Sequence, residues 1–355
     1  MTRHQLTLSE ALLDYMTARS GRYSPSTWAA HERVLLKLRD TLNRPSELGP
    51  GCRLADVDER TMVRYFNALR PPRLAGYSFN NYRQYVMMFF KFALAENWID
   101  RNPMRHVDPA PVVKRPRLQL SAQELLAALD GATPRDRVAL ALGMNTALRA
   151  MDIMSLKVGD VNLSNNELSA FIHKTKQHDL IPITAELRAE IIRWFEHYAD
   201  AMGLSDWMSD LPNEWILVPP MHFLAHNVWT PQAGGRVVYK TTSVYSNPEE
   251  IVQRALKRLG HPTKGEGFHT LRRSTARRFY ELAIAKGVRD PMRMPQALLG
   301  HQRRETTEIY LGMTIEKEMR DELLKGESFL RAVADEEIRK RDGDDDGTAG
   351  VLASA

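Results

Sequence analysis

Apolar positions recur at helical spacing through the first hundred residues. Thr7-Leu8-Ser9-Glu10 has the Ser/Thr-x-x-Glu spacing of a capping box, and Leu12, Leu13 and Met16 follow it at the helical period. Ser24-Pro25 pairs an N-cap residue with proline at the first helical position. Val34, Leu35, Leu38 and Leu42 then share one face. Asp58 starts a third helix through Met62, Val63, Phe66 and Leu69, and Arg70-Pro71-Pro72 ends it. Ser78 begins a long fourth helix with Tyr82, Tyr85, Val86, Phe89, Phe90 and Ala93 inward. The aromatic stripe reads as core rather than as a base-stacking platform.

A Pro-rich, basic stretch from Asp108 to Arg117 follows, extended and semi-stiff by composition, with Lys114, Arg115 and Arg117 able to cross a phosphate backbone. Ser121-x-x-Glu124 caps the next helix, Arg135 to Thr146 is an apolar buried helix, and Ala147 to Ile153 leads into another. After Asp160 the period changes to that of strands. Residues 168–172 and 180–183 flank His173-Lys174-Thr175-Lys176-Gln177-His178-Asp179 as a β-hairpin with a basic tip. Thr184 starts another helix. From Gly203 to Gly267 the pattern is weak, with Trp207, Trp215 and Trp229 and a loop around Gly234-Gly235. Helices return at Thr270, and Ile315, Met319 and Leu323 mark a last amphipathic one. The expected fold is mainly α with a small β-hairpin or sheet. Its expected divisions are a helical domain over 1–107, a linker over 108–117, a second domain over 118–333 and a disordered tail over 334–355.

A chain of 355 residues exceeds one ordinary core, which agrees with two domains. No apolar run is long enough to span a bilayer, and the N-terminus reads as neither signal peptide nor anchor, so a cytoplasmic protein is expected. A single cysteine, Cys52, excludes a disulfide within the chain and argues against a thiolate zinc site. The net charge of +5 is unevenly placed: Asp335 to Gly347 holds seven acids and three bases, leaving +9 elsewhere. A basic body suits a polyanion, most economically nucleic acid. Asp342 to Gly347 mimics the start of a calcium loop, but the twelfth position is Ala353 and calcium is rejected.

The chemistry-bearing residues come in order. Leu148-Arg149 is followed by Asp152 and Asp160; Lys174 lies in the hairpin; His269-Thr270-Leu271-Arg272 is a His-x-x-Arg box; Leu299-Gly300-His301 precedes Tyr310 by nine residues. Singly, each has a structural reading as a salt bridge, a helix-end histidine or a packed tyrosine. Together and in this order they resemble the tyrosine recombinases, the phage integrase family, over about residues 5–330. The departures are Ala147 in place of a usual glycine, Arg273 in place of a common histidine, and longer segments between the boxes.

The resemblance implies a helical core-binding domain and a tyrosine-recombinase catalytic domain, with no arm-binding domain. It implies metal-free phosphoryl transfer without a cofactor: Tyr310 attacks a DNA phosphodiester and forms a 3′-phosphotyrosyl link. Arg149 and Arg272 hold the non-bridging oxygens, His269 takes the tyrosine proton, His301 donates to the phosphate, and Lys174 protonates the leaving 5′ oxygen, with Lys176 as its rival. Asp152 orients Arg149. The implied partners are two double-stranded DNA sites and a homotetramer passing through a Holliday junction. A type IB topoisomerase-like enzyme and a non-cutting DNA-binding regulator are the alternatives.

Overall fold

Side-chain caps fix where many of the helices begin. In the computed structural model, which describes residues 6–112, 117–223 and 237–312, the chain divides into two units, Met1–Arg115 and Pro116–Ala355. In the first, Thr7 caps α1 (Leu8–Arg19) through a full capping box, Ser24 caps α2 (Pro25–Leu42), and Asp58 caps α3 (Glu59–Asn67). The fourth helix, α4 (Gly76–Ala95), starts two residues earlier than the serine suggests, because Ala75 takes the cap position without a side-chain bond. Val34, Leu35, Leu38 and Leu42 are buried as the period requires. On α4 the buried aromatic residues are Phe79, Phe89 and Phe90, whereas Tyr82 and Tyr85 are only half-buried.

The second unit is built around α6 (Pro134–Thr146), after a short α5 (Ala122–Ala127) capped by Ser121. Its residues Val138 to Leu142 are all buried, so it is apolar all round, as a helix enclosed by others must be. At its N-terminal end the buried Asp136 joins Arg135 at 2.6 Å to Arg254 at 2.7 Å on α10 (Glu249–Arg258). Then α7 (Ala150–Met154) leads to a three-stranded antiparallel sheet of β1 (Val161–Asn162), β2 (Glu167–Ile172) and β3 (Gln177–Pro182). In β2, Leu168 and Ala170 face the core, and Phe171 and Ile172 pair with His178 and Gln177. The tip is therefore the four residues His173 to Lys176, shorter than the sequence suggests, because the ladder continues to Gln177.

Thr184 caps α8 (Ala185–Met202), whose Trp194 and Tyr198 fill the core. The segment of weak pattern holds α9 (Trp207–Asp210), the β4–β5 hairpin (Met221–Phe223 with Val237–Tyr239) and α10. The C-terminal elements are α11 (Phe268–Ala285), α12 (Arg293–Leu299) and α13 (Arg304–Leu311). They close over a small separate cluster of Ala276, Met292, Leu299 and Leu311. The expected Gly234-Gly235 loop, Lys114 and Arg115 of the linker, the stripe of Ile315, Met319 and Leu323, and the acidic tail all lie outside the described residues.

Candidate functional site

Tyr310 lies in the last turn of α13, which is only eight residues long. Two contacts seat it. Leu311 is buried in the C-terminal cluster, and the Gln119 side-chain amide donates to the Leu311 carbonyl. The segment before α5 is thus fastened to the helix of the tyrosine. The same segment accepts from Arg273 at the Leu118 carbonyl, at 3.0 Å, and donates from the Leu120 amide to the Ser274 hydroxyl, at 2.8 Å.

His269 and Arg272 come from the first turns of α11. Gly267 precedes that helix because Glu249 reaches over it to accept from the Phe268 amide at 2.6 Å. A Cβ on Gly267 would lie 1.6 Å from that carboxylate oxygen. His269 Nδ1 is 3.3 Å from the Tyr310 hydroxyl. Arg272 is buried; it donates to the Ala147 carbonyl and, at 2.6 Å, to the Leu299 carbonyl. These two carbonyls stand at the ends of α6 and α12, so one guanidinium draws the three helices together.

Arg149 is the N-cap residue of α7, next to the α6 terminus, where Ala147 takes a left-handed conformation at φ 51°. His301 follows the left-handed Gly300 that ends α12. Its ring stands edge-on to Tyr310 with centroids 5.5 Å apart. Thr307, fully buried one turn before Tyr310, places its hydroxyl 3.1 Å from His301 Nδ1.

Charge binds these residues into one locus. Loss of solvation first, then Arg272, Arg149 and Lys174, pushes His301 down to about 4. Desolvation, then Arg272, Arg273, Arg149 and Arg117, holds His269 below its ordinary value. Burial raises Tyr310, against the pull of Arg272, Arg273 and Arg149. Arg272 itself falls to about 10, through burial and then Arg149. Both histidines are therefore neutral at pH 7 and the tyrosine is protonated. A neutral His301 that accepts from Thr307 at Nδ1 keeps its Nε2–H as a donor.

The structure thus brings His269, Arg272, His301 and Tyr310 together, with the charge of Arg149 bearing on all four; Lys174, on the exposed hairpin tip, is linked to them through its charge on His301. Lys176 is at φ 55°, where its amide closes the turn onto the Ile172 carbonyl at 2.8 Å. Asp152 differs from expectation: its hydrogen bonds go to His173, while Arg149 stands 3.9 Å from its other oxygen. Sequence reasoning missed Thr307, Gln119 and His173. Among the described residues no cluster of His, Cys, Asp or Glu could hold a metal ion. The arrangement offers a nucleophile, a base and fixed cations, which suits attack on a phosphate.

The sequence profile of the Phage integrase family matches residues 119–316. The chain is 24% identical over 299 residues to tyrosine recombinase XerC of Halalkalibacterium halodurans, covering 82% of this chain and 88% of that protein. Its fold is shared with residues 75–356 of lambda integrase, in a dimer bound to a COC′ core site, at a TM-score of 0.61 and 19% identity over 86% of this chain and 95% of that one. It is likewise shared with lambda integrase in a tetramer bound to a Holliday junction, at a TM-score of 0.61 and 18% identity over 86% of this chain and 77% of that one. With a profile that spans more than half of its residues, and with this fold, the chain belongs to the phage integrase family of tyrosine recombinases.

Proposed function

We propose that the protein is a site-specific DNA recombinase in which Tyr310 is the nucleophile. The observation that carries this reading is the Tyr310 hydroxyl, 3.3 Å from a neutral His269 and among the charges of Arg149 and Arg272. A tyrosine hydroxyl needs a base to take its proton and cations to bear the charge that develops. In cleavage the Tyr310 oxygen forms a bond to phosphorus as the bond from phosphorus to the 5′ oxygen breaks. The tyrosine proton passes to His269, and Lys174 supplies a proton to the departing oxygen. Arg149, Arg272 and the Nε2–H of His301 hold the non-bridging oxygens. The 3′-phosphotyrosyl bond conserves the energy of the broken one, so a second 5′ hydroxyl can reverse the step on another strand.

Lys174 is preferred to Lys176 because its charge bears on His301. Residues 1–107 would bind DNA as a helical core-binding unit, with 108–117 as the basic connection. Two sites and four protomers, passing through a Holliday junction, are the assembly proposed, as in the lambda integrase tetramer. The protein would act in the cytoplasm, at the nucleoid of a bacterial cell.

A randomised library of nicked duplexes tests this. The protein is incubated with the library and denatured, and the DNA that stays attached is sequenced. A common site, linked through its 3′ end, is expected. Exchange between two differently marked duplexes that carry the site separates recombination from simple relaxation of supercoils. Failure to retain any DNA would overturn the reading.

A further inference from the structure

Every residue of the hairpin tip that carries Lys174 is exposed, from His173 to Lys176. An exposed four-residue tip is a loose mount for a group that must meet one oxygen at hydrogen-bond distance, and small misplacements of such a group are costly. One carboxylate restrains it. Asp152, on α7 and 1% exposed, accepts at Oδ1 from the His173 amide at 3.0 Å and contacts the His173 Nδ1 at 3.1 Å. An ionised carboxylate only accepts, so His173 must carry its proton on Nδ1. Among the described residues, these are the tip's hydrogen bonds to any part of the chain outside the hairpin. The ring is also braced. It stands edge-on to Phe171 with centroids 5.2 Å apart, and Phe171 meets His178, its partner across the ladder, also at 5.2 Å. The other oxygen of Asp152 is buried without a hydrogen-bond partner and stands 3.9 Å from Arg149.

We propose that His173 is a positioning residue for Lys174. Its Nδ1–H bond to Asp152 fixes the hairpin tip to α7, so that a buried carboxylate sets where the lysine meets the leaving oxygen. This rests on the reading of Lys174 as the acid. The backbone bond to Asp152 survives His173→Ala; the side-chain bond does not.

The test compares two versions of the selected duplex, one with the natural 5′ oxygen at the cleavage point and one with a 5′-bridging sulfur. Sulfur leaves as a thiolate and needs no acid. On the oxygen substrate His173→Ala should cleave roughly 10- to 100-fold more slowly than wild type, the range set by one hydrogen bond to a charged group. On the sulfur substrate it should cleave within about threefold of wild type, because the defect lies in proton delivery. His173→Asn, whose amide can donate from nearly the same place as Nδ1, should recover most of the oxygen rate. In a Lys174→Ala background, His173→Ala should add no further loss. Equal slowing on both substrates would overturn the proposal, since a merely structural defect ignores the leaving group. So would an unchanged oxygen rate. Lys174→Ala is run beside them: if sulfur fails to rescue that variant, the reading of Lys174 as the acid fails, an outcome separate from failure of His173.

Discussion

Arg272 serves the fold and the charge of the site at once, and Arg149 does not. Arg272 is 4% exposed and satisfied by two helix-terminal carbonyls, whereas Arg149 caps a short helix with a partly exposed side chain. The two should therefore separate in experiment. Arg149→Ala is expected to slow cleavage by at least ~10²-fold, the order lost with one donor to a developing charge, while its melting temperature stays near that of wild type. Arg272→Ala is expected to slow cleavage as much and also to lose about 3 kcal/mol of stability, because both carbonyls lose a charged donor. Cleavage rates and thermal melts on the same preparations check this; equal melting temperatures for the two variants would contradict it. His269 gives a second expectation. Its pKa lies below the ordinary ~6.5, so the neutral base persists as pH falls through that value. Cleavage at DNA concentrations below saturation reports the free enzyme. Its rate should hold from pH 7.5 to about 6.5 and fall only in more acid solution; an acid limb at or above about 6.5 would contradict His269 as the base. These residues were legible because each sits in a short box of the sequence. Thr307, Gln119 and His173 were not. Gln119 meets Leu311, and His173 meets Asp152, across separations that no local pattern encodes.

At the scale of elements, what the sequence revealed depended on how each helix is capped. Thr7, Ser24, Asp58, Ser121 and Thr184 each accept from the first turn of the helix they precede, and each start was legible. Three starts that are displaced or missed have no such side chain: Ala75 before α4, Pro248 before α10, and Gly267 before α11, which is capped by Glu249 from a distant segment; α9 is the exception, a four-residue helix too short to show a period although Asp206 caps it. The hairpin is legible from its period but its register is not, so the sequence suggests a longer tip than the ladder leaves. Ala147 belongs to this scale as well. It ends α6 at φ 51°, ψ 24°, a left-handed conformation that costs an L-residue about 1–2 kcal/mol. Glycine avoids that strain but loses about 0.5–1 kcal/mol of chain entropy. Ala147→Gly is therefore expected to stabilise the protein, raising its melting temperature by about 2 °C, without slowing cleavage. A lower melting temperature would show that the methyl group's packing at this buried position outweighs the strain.

At the scale of the whole molecule, charge and chemistry agree. Apart from its acidic tail the chain carries +9, as a protein that follows a phosphate backbone requires. Among the described residues no helix is long and apolar enough to cross a membrane. Each of the two units has its own hydrophobic core, and the site lies entirely within the second. The proposed function turns on covalent joining of that site to DNA, and one measurement reads it. Protein trapped on the selected nicked duplex is denatured, its DNA trimmed with nuclease, and the chain cut with trypsin. Cleavage after Arg304 and Lys317 releases Glu305–Lys317, which contains a single tyrosine. That peptide should carry the nucleotide, linked through a 3′ phosphate to Tyr310, and Tyr310→Phe should bind the same duplex and yield no adduct. A nucleotide on any other residue, or an undiminished adduct from Tyr310→Phe, would contradict the assignment.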